Sequence, residues 1–402
     1  MSFIPPVSPP DPAQLPQALL YATSAGLGGS GLDSTSLEGA LASFRSNRLA
    51  LAICYANRQV EIEPVKSLQH HPVRLLSYLG SKDYYAAKKR YLDWTAARCL
   101  RRGGYDFFHG WSGECLQSMI EARASGVPSV MDVPTWHRNK GIHKPAETKS
   151  EREARLADRG WKDWRKHFHA TRLQNLTEYD LANVILVPSM QSASTFLAAG
   201  VSAEKLHYVG RGVDIERYQP AVAPDIFRVA FVGALIKRKG VHHLLKAWKK
   251  LGLKDAELVL IGSVHEEMRP YLDEFASASV RVVGFTKSVQ DELRQCAAFI
   301  FPSECEGFAK ATLEAAACGL PLIATKESGD AVVDGETGRV IAPNDVEAIA
   351  DALEHLHSHR DQALAMGQAG RKRVEQMFTW DHYRTRILHG YAKATAAMKA
   401  SK

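Results

Sequence analysis

The chain has 402 residues, 45% apolar and 24% charged, which are the proportions of a globular protein long enough for two or three domains. A formal net charge of +7 suits anionic ligands such as nucleotides or phospholipids, but acids and bases are too evenly mixed to argue for nucleic acid. The six cysteines include no C-x-x-C pair, which argues against a cysteine zinc site or a disulfide framework and fits reduced thiols in a cytoplasm.

Residues 1–16 hold six prolines and lack the basic and apolar regions of a signal peptide, so they are expected to form a disordered lead-in. No apolar run approaches the ~20 residues needed to span a bilayer. A cytoplasmic protein is expected, with at most peripheral contact at the inner face of a membrane. The first strand is expected over QALLYATS (17–24), followed by the glycine loop AGLGGSGLD and the helix STSLEGALASF, capped by Asp33, Ser34 or Thr35. Next come the strand RLALAICYA, a basic aromatic helix over 82–102, the strand YDFFHG, a helix around CLQSMIEARAS and the strand PSVMDV. Residues 81–102 carry seven Lys/Arg against two Asp, with Tyr84, Tyr85, Tyr91 and Trp94. That pattern reads as a solvated helix with its aromatics in the core, or as a membrane-surface or acceptor-recognition face. The basic run Arg138–Arg172, with Trp161 and Trp164, is read the same way.

The pattern then restarts with ANVILVPS, SASTFLAAG and KLHYVG. A proline-containing linker, RGVDIERYQPAVAPDIF, precedes a second alternating series from FRVAFVGAL to DVEAIADALEHLHS. Strands alternating with helices predict an α/β protein with two doubly wound parallel sheets, over 17–215 and 222–380. Ligands of such sheets bind at the carboxyl ends of the strands, so a central cleft is expected.

The richest stretch is SECEGFAKATLEA, with Glu306 and Glu314 eight positions apart. In one continuous helix they would stand about 80° out of alignment. Gly307 permits a sharp bend, so the helix is expected to start near Phe308 or Ala309, with Glu306 in the loop and Glu314 roughly two turns in. Free amides at the helix start then form an anion site between two carboxylates that accept from sugar or ribose hydroxyls. The combination suits a sugar joined through phosphates to a nucleoside.

SECEGFAKATLEAAACGLPLIAT resembles the E-x7-E region of family 4 of the retaining, GT-B fold glycosyltransferases, the group 1 glycosyltransferases. FVGALIKRKGVHHLL, YVGRGVDIERYQP, ANVILVPSMQSASTFLAAGVSAEKL and HGWSGECLQSMIEARASGVPSVMDVPTWH are similar to other segments of that family, in the same order. The resemblance implies two Rossmann-like domains facing a cleft. The N-terminal one would bind the acceptor and the C-terminal one the donor, with the last helix, 380–402, packing back on the first. It implies transfer of a sugar from a nucleotide donor, UDP- or GDP-linked, to a hydroxyl acceptor, with retention and without metal or cofactor. The weak positive charge makes an anionic or lipid-linked acceptor admissible.

Carried over by position, Glu314 accepts from the ribose and Glu306 contacts the donor sugar. Gly307, Phe308, Ala309 and Lys310 offer amides to sugar or phosphate. Arg238 and Lys239, beside Gly233, neutralise the diphosphate as charge builds on the leaving group. Gly284, Phe285 and Thr286 fall where the base pocket is expected. Gly28 and Gly29 let the backbone of the acceptor domain approach the donor phosphate. His137 is the best match for the family histidine, with Asp132 and His109 as competitors. Two departures stand out: Ala234 replaces an expected arginine and Ala309 a glycine.

Three other functions share these features. Gly26-x-Gly28-x-x-Gly31 fits a dinucleotide fingerprint, but no acid ends the second strand, as an NAD(P)-dependent oxidoreductase would require. A glycosidase using Glu306 and Glu314 leaves the phosphate signals unexplained. A sugar-nucleotide epimerase or hydrolase on the same fold would release free sugar or nucleotide without an acceptor.

Overall fold

A computed structural model describes residues 8–70, 81–138, 150, 171–222, 224–275 and 277–400. The chain divides into two compact units. The first comprises Met1–Pro188, Ser192–Val209 and Tyr383–Lys402, and the second Ser189–Gln191 and Gly210–His382.

The first unit is built on β1 (Leu19–Leu27), α1 (Leu32–Arg45), β2 (Leu49–Asn57), β3 (Val65–Ser67), α2 (Ser81–Arg102), β4 (Phe107–Trp111), α3 (Leu116–Ala124), β5 (Ser129–Asp132), α4 (Thr171–Leu181), β6 (Val184–Val187), α5 (Met190–Ala198) and β7 (Leu206–Tyr208). Its seven strands pair in parallel in the order β3-β2-β1-β4-β5-β6-β7. β4, β5 and β6 are buried along their whole length, as strands covered on both faces must be. The strand order reverses between β1 and β4, so the loops after these two strands flank the crevice where an open α/β sheet takes its ligand.

The second unit contains β8 (Phe227–Val232), α6 (Val241–Leu251), β9 (Ala256–Ile261), α7 (Arg269–Phe275), β10 (Val280–Gly284), α8 (Val289–Leu293), β11 (Ala298–Phe301), α9 (Lys310–Ala317), β12 (Leu322–Thr325), β13 (Gly338–Ile341), α10 (Val346–Ser358) and α11 (Arg360–Met377). Its parallel sheet has the order β10-β9-β8-β11-β12-β13. Phe231 stacks on Phe301 at 5.3 Å between centroids, and Phe301 on Phe299 at 6.3 Å. α6 buries Val241, Leu244, Leu245 and Trp248 and turns Lys249 and Lys250 outward, the helical period expected of VHHLLKAWKKL. Here the switch lies between β8 and β11.

The last helix, α12 (Trp380–Ala400), lies almost wholly in the first unit. Tyr383, Ile387 and Tyr391 are fully buried, and Tyr391 packs on Phe107 at 5.0 Å. Among the described residues no helix is long and apolar enough to cross a membrane.

Three expectations require correction. Residues 8–16 are ordered rather than disordered: Asp11 caps a 3-10 turn over Pro12–Gln14, Leu15 is buried, and Arg48 donates to the Pro12 carbonyl. α1 is not capped by Asp33, Ser34 or Thr35, because Gly31 holds the cap position at φ 62° and Asp33 bonds elsewhere. The aromatics of α2 do not all enter the core. Leu92, Ala96 and Leu100 fill it, while Tyr85 and Trp94 stand 57% and 49% exposed. Aliphatic side chains at helical spacing suffice to cover the sheet there. Most of the run 138–172 lies outside the described residues.

Candidate functional site

The site in the second unit grows from the two strands that flank its switch point. β8 is followed by Gly233, whose φ of 152° is open to glycine and whose added Cβ would lie 2.9 Å from Lys239 Nζ. The chain then makes a 3-10 turn over Lys237–Lys239 and closes it at Gly240, where a Cβ would meet the Pro302 carbonyl at 2.1 Å. This contact presses the KRKG turn against the end of β11. The Arg238 carbonyl accepts from Glu304 N at 2.9 Å and from Ser303 Oγ at 3.2 Å, joining the two loops.

Charge converges where they meet. Arg238 Nη1 donates to Glu306 Oε1 at 3.1 Å and to the Cys305 carbonyl. Lys239 Nζ stands 3.5 Å from the same Glu306 oxygen and 4.9 Å from the centre of the Phe301 ring. Burial lowers the Lys239 pKa, the Glu306 carboxylate works to raise it, and the Arg238 guanidinium lowers it further.

The loop after β11 is fixed from below by the turn after β12. Glu306 N donates to the Glu327 carbonyl at 3.1 Å, Ala309 N to the Ser328 carbonyl at 2.8 Å, and Ser328 Oγ to the Phe301 carbonyl at 3.0 Å. Among the described residues, the amides of Gly307 and Phe308 have no acceptor. The Phe308 ring itself is buried against Phe378. α9 begins at Lys310, with Ala309 as its N-cap and Thr312 bonded back to the Ala309 carbonyl at 2.7 Å. Glu314 follows on α9, where burial raises its pKa against the opposing effects of Lys310, a hydrogen bond from Tyr218, and Arg217. Tyr218 and Arg217 come from the GVDIERY segment, and Arg217 also donates to the Lys287 carbonyl at 3.3 Å. The sequence offers no signal for the Tyr218 contact.

Gly284 ends the edge strand β10, and Phe285 and Thr286 follow directly after it. Gly284 has φ 75°, the Phe285 ring is 78% exposed, and Thr286 Oγ1 accepts from Ser288 N at 3.1 Å.

In the first unit Gly28 and Gly29 have φ values of 87° and 129° in the loop after β1. Asp33 holds this loop: its carboxylate accepts from Gly26 N at 2.9 Å and pairs with Arg58 at 2.8 Å. β2 ends at Asn57, with no acid there. His137 is 5% exposed, and its ring packs between Tyr179 at 5.0 Å and Phe196 at 4.9 Å. His109 is fully buried, its Nδ1 2.8 Å from the Tyr391 hydroxyl, and burial lowers its pKa to about 3. Asp132 accepts from the Tyr383 hydroxyl at 3.2 Å. His109 and Asp132 therefore bind the C-terminal helix.

Sequence reasoning passed over a buried carboxylate group at the first switch point. Glu114, after β4, accepts from Ser24 N at 2.6 Å and from Ser24 Oγ, with Lys89 at 3.8 Å. Glu178 accepts from Gly113 N at 2.5 Å, Cys115 N at 3.0 Å and Gln174 Nε2 at 3.0 Å, and burial lifts its pKa to about 7. Asp93 of α2 accepts from the amides of Gln117 and Ser118, both at 2.8 Å, at the start of α3. Only SGEC directly after a strand hinted at this.

Residues 226–359 match the family model of the glycosyl transferases group 1. The chain is 29% identical over 324 residues to the MMP alpha-(1->4)-mannosyltransferase of Mycolicibacterium hassiacum, covering 76% of this chain and 75% of that protein. It is 30% identical over 234 residues to the GDP-mannose-dependent alpha-(1-6)-phosphatidylinositol monomannoside mannosyltransferase of Mycobacterium tuberculosis (strain CDC 1551 / Oshkosh), covering 50% of this chain and 60% of that protein. The fold matches that of Anabaena HepE, solved with UDP-glucose, with a TM-score of 0.68 at 17% identity over 92% of this chain and 98% of that one. The two parallel Rossmann-like sheets are those of the GT-B fold, and the second of them carries the segment that matches the group 1 glycosyl transferases.

Proposed function

We propose that the second unit binds a nucleoside-diphosphate sugar and that the enzyme transfers its sugar to a hydroxyl acceptor, with retention at the anomeric carbon. The observation that carries this reading is the cluster of Arg238, Lys239 and Glu306 at the β8/β11 switch point, beside the acceptor-free amides of Gly307 and Phe308. One carboxylate facing two cations leaves net positive charge for a diphosphate. In the reaction, the bond from the anomeric carbon to the phosphate oxygen breaks and its electron pair stays on the diphosphate. The acceptor oxygen bonds to the same carbon, and its proton passes to the departing phosphate. Arg238 and Lys239 stabilise the charge that develops on the phosphate, so the step needs neither metal nor cofactor. Glu306 receives sugar hydroxyls and Glu314 the ribose, while Gly284–Thr286 border the base.

The relatives support mannose or glucose on GDP or UDP. We assign the first unit to the acceptor, with His137, Gly28 and Gly29 on its side of the reaction. A lipid-linked or anionic acceptor suits the outward Tyr85 and Trp94 of α2, over which Lys88 and Arg98 stack. Such a surface also suits peripheral contact with the inner face of a membrane.

A thermal-shift panel with UDP, GDP, ADP, TDP and CDP tests the donor. At 100 times its dissociation constant, a nucleotide stabilises by about 2.7 kcal/mol. No shift with any of the five sinks the reading, and an equal shift in Glu314→Ala sinks the ribose assignment. The anomeric configuration of the product, read by proton NMR, decides retention.

A further inference from the structure

His242 and His243 open α6, directly after the turn that carries Arg238 and Lys239. Their rings lie 3.8 Å apart between centroids, tilted by 41°. In both residues Nδ1 is sealed from solvent and has no hydrogen-bond partner among the described residues. Two orphaned nitrogens side by side are costly, because a buried polar group left unpaired keeps its desolvation penalty. Such groups call for an explanation, and a bound ion is one that satisfies both at once. Glu304, from the loop after β11, supplies the missing element: one ligand atom from each of the three residues falls within 4.8 Å of the other two.

We propose that His242, His243 and Glu304 bind one divalent cation of the zinc class, which fastens the start of α6 to the loop after β11. Two imidazole nitrogens and a carboxylate oxygen are a borderline donor set, suited to zinc, cobalt or nickel rather than to calcium or magnesium. Tetrahedral bonds of about 2.0–2.1 Å place ligand atoms about 3.3 Å apart, so the three groups close by about 1.5 Å at most, within the reach of side-chain rotation. Burial and the neighbouring cations keep the imidazoles neutral, which is the form that ligates: the pKa of His242 falls to about 4 and that of His243 is also lowered. Lys237 and Lys246 oppose a cation beside His242, and Glu267 offsets them.

The three residues also sit where fastening has an effect. Glu304 N already donates to the Arg238 carbonyl, so a bound cation adds a further tie between the loops carrying Lys239 and Glu306. This role is separate from leaving-group chemistry. The existence of the site does not depend on the nucleotide reading; its effect on donor binding does.

The test uses the full untagged chain, stripped with EDTA and titrated with zinc chloride by calorimetry, then with cobalt chloride by visible absorption. One equivalent of zinc is expected, with a tetrahedral cobalt spectrum and a higher melting temperature with zinc than with EDTA. His243→Ala and the shape-conserving Glu304→Gln should each weaken zinc on the order of 100-fold. Failure of the stripped but cooperatively melting chain to bind zinc overturns the proposal. So does equal zinc affinity in wild type and Glu304→Gln when both melt alike in EDTA. Nucleotide shifts measured in EDTA report on the donor site independently.

Discussion

Lys239 and Glu306 meet through a single oxygen, with Nζ 3.5 Å from Oε1, and Arg238 reaches that same oxygen at 3.1 Å. One carboxylate thus balances two cations. The excess charge sits in a low-dielectric corner, where a fixed cation acts on developing negative charge far more strongly than in water.

Lys239→Gln should lower kcat/KM by about 10²–10³, the loss typical when one preorganised charge-stabilising group is removed. Steady-state kinetics with the donor identified by the nucleotide panel measure it. Arg238, which is 48% exposed, should matter less because water screens it. Unchanged turnover in Lys239→Gln would remove this residue from the leaving-group role.

Gly233→Ala should imitate the loss of Lys239. The new methyl would stand 2.9 Å from Nζ, at a φ of 152° that costs a side-chain-bearing residue about 1–3 kcal/mol. Both the melting temperature and nucleotide affinity should fall. Gly335→Ala, at φ 73° with nothing within 4 Å, carries strain alone and should lower only the melting temperature. Equal nucleotide affinity in the two variants would contradict the steric account.

Glu314 has a folded pKa raised by burial above its ordinary value of 4.5. The folded chain therefore holds the proton more tightly than the unfolded chain. The resulting stability is complete below pH 4.5 and is lost as pH rises through the folded pKa. Glu314→Gln cannot ionise, so its stability relative to wild type should improve from pH 4.5 to pH 8. Denaturant midpoints of both proteins at the two pH values check the sign, and a constant gap would refute it.

His109 and His207 make the opposite prediction. Burial lowers their pKa values to about 3 and about 4 from an ordinary 6.5. Their stability is complete above pH 6.5 and is lost as pH falls towards those values, at about 1.4 kcal/mol per unit of depression. His109 touches the Tyr391 hydroxyl, and His207 Nε2 lies 2.8 Å from the Arg386 carbonyl, so both act on α12. Amides of residues 383–400 should lose hydrogen-exchange protection between pH 7 and pH 5, after correction for intrinsic rates. Protection that persists would show that the helix is held by apolar packing alone.

Much of this was legible in the chain because local chemistry dictated it. Gly307 before AKATLEA announced a bend followed by a helix, and α9 starts at Lys310, one residue beyond the expected range. Apolar runs such as CAAFIF marked strands buried on both faces, and their alternation with helices required parallel pairing. Contacts between residues far apart in sequence were not legible. Nothing in GVDIERY says that Tyr218 will meet Glu314, and nothing in α2 says that Asp93 will hold the amides of α3. β3, only three residues long, is too short to show a period. The orientation of Trp94 depended on which residues the sheet left uncovered.

The path of the chain has a consequence for synthesis. Leaving the first unit at Val209, it completes the whole second sheet before Tyr383–Lys402 returns. Domains fold as units while the ribosome elongates the chain. The second unit is nearly continuous in sequence and can close as soon as it emerges. The first, although translated earlier, waits for Tyr383, Ile387 and Tyr391 to fill its core. Loss of the last twenty residues would therefore leave the earlier-made half unfinished while the later-made half could still fold.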